Sequence, residues 1–529
     1  MMNAPPSSLV PETAWNSIRY RRKAASLLGL GLAFCVLTPL EADVVLAPLF
    51  QEHAVLQCDQ PVPVWGRAEP GEKVRVSFAG QSVSTKADDQ GRWSLTLQPL
   101  KVSRDPSVMI VRGRNTLRVR DILVGEVWLT SGQSNMAWSV GASANPDLEI
   151  AGALWPQIRQ IKINMEVAES PQDRVDGQWE VCSPCTVAKF TAVGYYFARE
   201  LHRDLRIPIG IVNCSVGGSS IEAWLSPDAL LSVPDFAVVG DRWRRMLERA
   251  DPAKVLAYEL ELANWKESVA RAARVRDGNV PPARPPALVV GPGHFARPSG
   301  LYHGMLSPLL PYALRGILWY QGESNAARAD EYRKLFPALI RDWRSAFRRE
   351  SLPFYWVQAP NYEPKDPTGI TWAQLREAQS QALALPATGQ AVTIDIGSAH
   401  NNHPYNKQDV GIRLALIAKA KTYGRMIDDS GPRYHRIERM GSRLHVEFAY
   451  AESGLEARGR LVGFEIAGID RRYVAAEARI EGNQVVVSSQ AVEEPVLVRY
   501  AWANNPPASL YEIGGLPAEP FRAGLVPVD

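Results

Sequence analysis

The stretch Val124-Gly-Glu-Val-Trp-Leu-Thr-Ser-Gly-Gln-Ser-Asn-Met136 decides how the whole chain is interpreted. Its apolar run at 127–129 predicts a buried strand, and small and amide residues follow directly. Ser134 lies in this turn between two amide side chains, Gln133 and Asn135. A polar turn between a strand and a helix explains the pattern by itself, because single serines after strands are common. The alternative is a nucleophile exposed on a sharp turn.

Residues 121–429, which surround this stretch, alternate between apolar strands and helical segments. That alternation predicts an α/β fold in which a parallel sheet is covered by helices on both faces. The clearest strands are 207–213 and 316–320, and the clearest helices are 195–205, 332–347, 373–385 and 409–423. Residues 233–300 interrupt the alternation with a charged helical stretch and the Pro-rich segment 280–286, which indicates an insertion or lid.

Both ends of the chain carry short strands in which polar and apolar residues alternate. In residues 43–120 and 430–529 these runs are separated by turn residues, a spacing that is typical of small β-sandwiches. We therefore expect an N-terminal β domain, an α/β domain over 121–429 and a C-terminal β domain.

Residues 1–42 have the pattern of a leader segment. A basic group at 19–23 precedes the apolar run 24–40, and Ala42 ends a suitable cleavage site. An uncleaved anchor helix is the alternative, but the run is short and contains Pro39. We expect export to the periplasm or the medium. We also expect a mature chain that does not span a membrane, since no other long apolar stretch follows.

The charge balance argues against a nucleic-acid partner. The formal net charge of the full chain is +3, and removal of the leader takes away four basic and two acidic residues, which leaves +1. Proteins that bind nucleic acid usually present a strongly basic face.

The cysteine pair in Cys182-Ser-Pro-Cys185 has two interpretations. In an exported protein the pair is compatible with a small-loop disulfide. Such a pair also occurs in zinc sites, but zinc needs two further soft ligands, and the nearby sequence offers none.

Two further predicted strands end in polar turns that contain glycine. The segment 213–220 carries the pair Gly217-Gly218, which lets the backbone approach a ligand and present N–H groups. The segment 319–325 places Gln321, Glu323 and Asn325 after a strand. Open α/β sheets bind ligands at the carboxyl ends of their strands, so three such ends predict a single crevice.

A general base is expected in the segment 392–407, which precedes the last predicted helix. It contains Asp395, His400 and His403, and histidine is the usual base near neutral pH. Each histidine also has the ordinary interpretation of a loop or cap residue. A third interpretation takes all three side chains as metal ligands, although a defined zinc motif is lacking.

Four motifs together resemble the sialate O-acetylesterase family of SGNH-type hydrolases. They are Ser131-Gly-Gln-Ser-Asn-Met136, Gly217-Gly-Ser-Ser-Ile-Glu-Ala-Trp224, Trp319-Tyr-Gln-Gly-Glu-Ser-Asn325 and His403-Pro-Tyr-Asn-Lys-Gln-Asp-Val-Gly-Ile-Arg413. The similarity extends from about Leu49 to the segment 516–522, and therefore covers nearly the whole chain after the leader.

The resemblance implies a flavodoxin-like α/β/α hydrolase core with accessory β-modules. It also implies a serine esterase that removes acetyl groups from sugars without a metal or another cofactor. By position, Ser134 is the nucleophile and His403 the general base. The implied oxyanion hole combines the Ser134 N–H with Gly218 or Gly217 and an amide from Gln321 or Asn325. Expected substrate contacts are Gln133, Asn135, Glu323 and Trp138.

The acid that orients His403 is left open. Many SGNH hydrolases place an aspartate three residues before the histidine, and here that residue is His400. Asp395 fills the acidic position of the family's Asp-Ile-Gly segment and is our choice for the acid. A backbone carbonyl in a Ser-His dyad is the alternative.

Two other functions are compatible with the sequence. The β-modules at both ends suit a non-catalytic carbohydrate-binding protein on a hydrolase scaffold, and Asp395, His400 and His403 suit a metallohydrolase. Acetylated sialic acid and acetylated plant hemicellulose are both compatible substrates of an esterase.

Overall fold

The computed structural model describes residues 43–232, 234–275, 290–291 and 293–528. Strands lie at both ends of the chain and alternate with helices in between. The leader segment at 1–42 and the Pro-rich segment 280–286 lie outside the described residues. The strands are β1 (Val45–Leu46), β2 (Val55–Gln57), β3 (Val62–Arg67), β4 (Lys73–Phe78), β5 (Gln81–Lys86), β6 (Arg92–Leu97), β7 (Ser103–Arg112), β8 (Thr116–Gly132), β9 (Ile158–Lys162), β10 (Trp179–Val181), β11 (Ile209–Ser215), β12 (Gly316–Tyr320), β13 (Phe354–Val357), β14 (Thr388–Ala391), β15 (Arg433–Met440), β16 (Arg443–Ala449), β17 (Leu455–Ala457), β18 (Phe464–Ala467), β19 (Val474–Ala475), β20 (Glu477–Glu481), β21 (Gln484–Ser488), β22 (Leu497–Tyr500), β23 (Leu510–Glu512) and β24 (Phe521–Gly524). The α-helices are α1 (Ser134–Ala137), α2 (Pro146–Ala151), α3 (Ala192–Leu205), α4 (Pro227–Leu231), α5 (Ala237–Glu248), α6 (Pro252–Val275), α7 (Ala329–Ala346), α8 (Thr371–Gln381) and α9 (Lys407–Lys421).

The central sheet places its strands in the order β11-β8-β12-β13-β14, and all neighbours are parallel. Counted from β8, this is the 2-1-3-4-5 order of flavodoxin-like folds, so the expected core is confirmed. β9 extends the sheet in parallel beyond β11, and β10 closes that edge in the antiparallel sense. The order reverses beside β8, and the crevice at a reversal is where such sheets bind ligands.

Helices cover both faces of this sheet, as the alternation predicted. α3 and α9 pack together in one apolar layer, while α7 and α8 pack in the layer on the other face. All four lie at the predicted segments, with ends that differ from the prediction by at most a few residues.

β8 passes directly through the expected domain boundary at residue 121. Its first half pairs antiparallel with β7 of the N-terminal strands, and its second half pairs in parallel with β11 and β12. Asp121 has a positive φ of 53° at the junction, and the β7–β8 register shifts nearby. One strand therefore belongs to both sheets, and an alternation pattern does not reveal such sharing.

The C-terminal segment forms antiparallel sheets, with β15-β16-β21-β20 in one and β19-β18-β22-β24 in another. The interruption at 233–300 includes α5 and α6, in agreement with its charged helical pattern. Across the described residues, no helix has both the length and the apolarity that a membrane span requires.

Within the described residues, Cys182 and Cys185 form no disulfide and belong to no group of candidate metal ligands. Cys182 is buried, Cys185 is exposed, and both thiols are free. Burial raises the pKa of the Cys182 thiol to about 12, which keeps it protonated at neutral pH. The pair therefore behaves as one packed and one surface thiol.

A buried arginine joins the C-terminal segment to the helix layer that contains α8. Arg376 of α8 is fully buried and donates to the backbone carbonyls of Pro360, Ala503 and Asn504. Asn504 adds a second link, because its side-chain oxygen accepts from the Trp372 N–H at 2.8 Å.

Arg376→Met is expected to destabilise the fold by about 2 kcal/mol, since it leaves buried carbonyls without their charged donor. Thermal or urea unfolding measures the change. Arg341→Met, at an exposed position of α7, is the matched control and should change the unfolding free energy by less than about 0.5 kcal/mol. Equal unfolding curves for the two variants would show that this link contributes nothing.

Candidate active site

Ser134 stands at the sharp turn where β8 ends and α1 begins. Gly132 makes the turn with a φ of 130°, and a Cβ at this position would lie 2.1 Å from the Tyr320 carbonyl oxygen. The Gln133 N–H donates to that same carbonyl at 2.9 Å. Only glycine fits here, because another side chain would be strained in φ and would clash with β12.

His403 faces Ser134 from the loop between β14 and α9. Its Nε2 lies 2.7 Å from the Ser134 Oγ, which is hydrogen-bond distance. Burial, and then the nearby Lys407, lower the pKa of His403 below its usual 6.5. The imidazole is therefore neutral at pH 7, and its Nε2 is suited to accept the Ser134 proton.

The glycine pair at the end of β11 borders the serine. A Cβ on Gly217 would lie 3.6 Å from the Ser134 Cβ, and Gly218 has a φ of 75°. Throughout the described ranges, the backbone N–H groups of Ser134, Gly217 and Gly218 have no hydrogen-bond acceptor. Unpaired N–H groups beside a nucleophile are what an oxyanion hole requires.

The amides of Gln321 and Asn325, expected as oxyanion donors, donate hydrogen bonds to other groups of the protein instead. Gln321 Nε2 donates to the Ser219 carbonyl at 3.2 Å and to the Asn325 Oδ1 at 2.8 Å. Asn325 Nδ2 donates to the Glu222 carboxylate at 2.9 Å. Both amides are almost fully buried. This corrects the expectation, and the physical reason is Glu222, whose buried carboxylate fixes the direction of the Asn325 amide.

Asn135 and Glu323, expected as substrate contacts, bind each other. Asn135 is fully buried, and its Nδ2 donates to Glu323 at 2.5 Å and to the Asn402 carbonyl at 2.8 Å. The carbonyl belongs to the residue before His403, so the amide links the serine turn to the histidine loop. This corrects the expectation for Asn135, whose buried side chain is used inside the protein. Glu323 is only partly buried, and its contact with substrate stays a prediction.

Gln133 and Trp138, also expected as substrate contacts, are only partly used in contacts within the protein. The Gln133 side-chain oxygen accepts from the N–H groups of Gly322 and Ser324, both at 3.3 Å, and its amide nitrogen has no acceptor in the described part of the chain. The Trp138 ring stacks on the His403 ring, with centroids 5.2 Å apart and planes inclined by 14°.

The structure does not bring Asp395 to His403. Both Asp395 oxygens bind Arg413, at 2.6 and 2.7 Å, and no hydrogen bond joins Asp395 to His403 in the residues described. Arg413 lies on α9 and forms an ion pair with the carboxylate that the sequence suggested as the partner of His403. A backbone carbonyl does not replace it either, since His403 Nδ1 has no acceptor within the described residues.

The three residues suggested as metal ligands do not form a ligand cluster in the described part of the chain. Within the described residues, Asp395, His400 and His403 do not converge as ligands, and the one candidate group is Cys58, Asp59 and Glu126. Glu126 already pairs with Arg315, at 2.5 Å to Nε, so its carboxylate is neutralised by a guanidinium.

Comparisons with known proteins find similarity to carbohydrate esterases. The family model described as "Carbohydrate esterase, sialic acid-specific acetylesterase" matches residues 124–261 and 294–418. Mouse sialate O-acetylesterase is 30% identical over 512 residues, which cover 87% of this chain and 91% of the relative. The human protein of that name is 29% identical over 511 residues, which cover 87% of this chain and 88% of the relative. The solved structure of a carbohydrate acetylesterase from Xanthomonas citri is 38% identical, covers 92% of this chain and 100% of that chain, and has a TM-score of 0.77.

Proposed function

Because the chain belongs to the sialate O-acetylesterase family of carbohydrate esterases, we propose that its carbohydrate O-acetylesterase activity uses Ser134 as nucleophile and His403 as general base. The observation that carries the proposal is the 2.7 Å contact between Ser134 Oγ and His403 Nε2 at the turn after β8. The two groups come from segments 269 residues apart, and Ser134 follows β8, beside which the strand order reverses.

The reaction follows from this pair. His403 Nε2 takes the Ser134 proton as Oγ attacks the acetyl carbonyl, and the oxyanion accepts hydrogen bonds from the free N–H groups of Ser134 and Gly218. The carbonyl reforms as the sugar oxygen leaves with the proton from His403. Water, deprotonated by His403, then attacks the acetyl-enzyme, and acetate and free Ser134 are released.

A cavity beside the oxyanion side of the site accommodates the sugar in this proposal. It has a volume of about 190 Å³, and Gly218 and Ser324 form part of its wall. Trp243 and Met246 of α5 supply apolar surface. A cavity with apolar surface and a few fixed polar groups suits a sugar ring with hydroxyls at its edge.

The charges at this cavity neutralise one another. Arg242 binds Glu222 at 2.9 Å and Glu331 at 2.6 Å, and Arg328 binds Glu222 at 3.1 Å. Two guanidinium groups therefore face two carboxylates. An acetate-release panel with acetylated sialic acid, acetylated xylan and acetylated xyloglucan shows whether the site takes an anionic or a neutral sugar.

Met246→Trp is expected to fill the cavity and lower kcat/KM for acetylated sugars by roughly tenfold, the equivalent of about 1.4 kcal/mol. Hydrolysis of p-nitrophenyl acetate, which presents no sugar, should change by less than about twofold. Arg245→Trp, at the neighbouring exposed position, is the matched control and should leave both substrates unaffected. Equal losses on both substrates would place the sugar elsewhere.

A further inference from the structure

Lys407 is a fully buried lysine close to the active site. It is the first residue of α9, four positions after His403, and the Asn406 side chain caps the same helix. A buried ammonium is costly, and a cation at the amino end of a helix is also disfavoured by the helix dipole. A lysine at this position therefore needs a specific role, and no step of the reaction described above uses Lys407.

The Lys407 ammonium binds an amide rather than a carboxylate. Nζ donates to the Asn135 Oδ1 at 2.5 Å, and in the described part of the chain it forms no ion pair. Since Oδ1 receives the ammonium, the Asn135 Nδ2 must point the other way. There it donates to Glu323 and to the Asn402 carbonyl. The lysine thus fixes the direction of the amide that holds the histidine loop.

Two aromatic rings complete the surroundings of the ammonium. Nζ lies 5.4 Å from the centre of the Tyr320 ring and 5.7 Å from that of Trp138, within cation–π range. Trp138 is held by its Nε1, which donates to the Ala142 carbonyl at 2.9 Å. Its ring then stacks on His403. The lysine therefore contacts the Asn135 amide, which binds the histidine loop, and the Trp138 ring, which stacks on His403.

We propose that Lys407 is a positioning residue for His403, which it holds against Ser134 through Asn135 and Trp138 in the place of an orienting carboxylate. This inference rests on the proposed roles of Ser134 and His403. It accounts for a histidine that has no acidic partner among the described residues and yet lies at hydrogen-bond distance from the serine.

The charges around Lys407 give the proposal an electrostatic signature. Burial lowers the pKa of Lys407 to about 7, and Glu323 on the turn after β12 opposes that shift. Burial also raises the pKa of Glu323. The ammonium in turn lowers the pKa of His403. Loss of the positive charge therefore raises the pKa of His403, and the acid limb of the kcat/KM profile moves to higher pH.

Two substitutions separate position from charge. Lys407→Met removes both the hydrogen bond and the charge, and we expect kcat to fall on the order of 10²-fold with KM little changed, as for a misplaced catalytic group. Lys407→Gln keeps a donor for Asn135 without the charge. It should recover most of kcat while its acid limb stays shifted to higher pH. The melting temperature of each variant accompanies the kinetics.

Lys421→Met is the matched control, because Lys421 is the last residue of the same helix and pairs with Asp429 at 3.4 Å. It should keep the kcat and pH profile of the parent enzyme. Ser134→Ala, assayed alongside, tests the proposed function separately: a fully active Ser134→Ala enzyme overturns that function. If Ser134→Ala is inactive and Lys407→Met keeps the parent kcat, only the positioning role is overturned. The role is equally overturned if Lys407→Met and Lys407→Gln lose activity only in proportion to unfolding, with an unmoved acid limb.

Discussion

Ser134→Ala is expected to lower kcat for acetate release by on the order of 10⁴-fold or more, because no other group can form the acetyl-enzyme. The fold should survive, since the described contacts of the Ser134 hydroxyl are limited to the hydrogen bond with His403. Acetate release from an acetylated sugar and from p-nitrophenyl acetate measures the loss, and a melting curve checks the fold.

Ser131→Ala is the matched control for this substitution. Ser131 lies on β8, three positions before Ser134, and its buried hydroxyl has no hydrogen-bond partner in the part of the chain that the structure describes. Its replacement should leave kcat within about twofold of the parent value, as expected for a hydroxyl that makes no contact with the reaction. Near-full activity of Ser134→Ala, or an equal loss in both variants, would contradict the assignment of the nucleophile.

His403→Gln is expected to lower kcat by about 10⁴-fold, because the serine loses the base that takes its proton. In the parent enzyme the neutral imidazole is the active form, so kcat/KM falls as the pH drops through the pKa of His403. That pKa lies below 6.5, and activity should therefore persist at pH 6.5. The residual activity of the variant should show no such acid limb.

His400→Gln serves as the control, since His400 is exposed and lies three residues before His403. It should retain the parent kcat and pH profile. A loss in His400→Gln as large as that in His403→Gln would favour the metallohydrolase interpretation, in which both histidines act as ligands.

The fold was predictable because its patterns are local. Buried parallel strands such as 316–320 appear as continuous apolar runs, and amphipathic helices such as α7 have apolar residues at a helical spacing. The shared strand β8 was not predictable, because the sequence shows that a strand exists and does not show with which neighbours it pairs. The expected boundary at residue 121 therefore falls inside one strand.

The site was predictable where several motifs together resemble one family, because each motif alone also fits an ordinary turn. A serine, a glycine pair and a histidine after strand ends pointed to Ser134, Gly217-Gly218 and His403, and the fold brings all of them together. The amides were not predictable, because the partner of an amide depends on groups that arrive from elsewhere in the chain. The Glu222 carboxylate accepts a hydrogen bond from the Asn325 amide, and the Lys407 ammonium donates one to the Asn135 amide oxygen.

The sequence did contain a signal for Lys407. A lysine directly after an asparagine cap stands at the positive end of the helix dipole, where a cation is unfavourable without a specific partner. Asp395 shows the opposite error. Its place in the family's Asp-Ile-Gly segment suggested an acid for the histidine, but Arg413 of α9 binds both of its oxygens.

The most direct test of the central claim is to locate the label after treatment of the intact enzyme with a serine-directed organophosphonate. We expect one phosphonyl group per chain, found by peptide mass spectrometry on Ser134, with acetate release lost in proportion to labelling. His403→Gln should be labelled far more slowly at the same residue. Complete inhibition with the label on another residue, or an unlabelled Ser134 in fully active enzyme, would contradict the account.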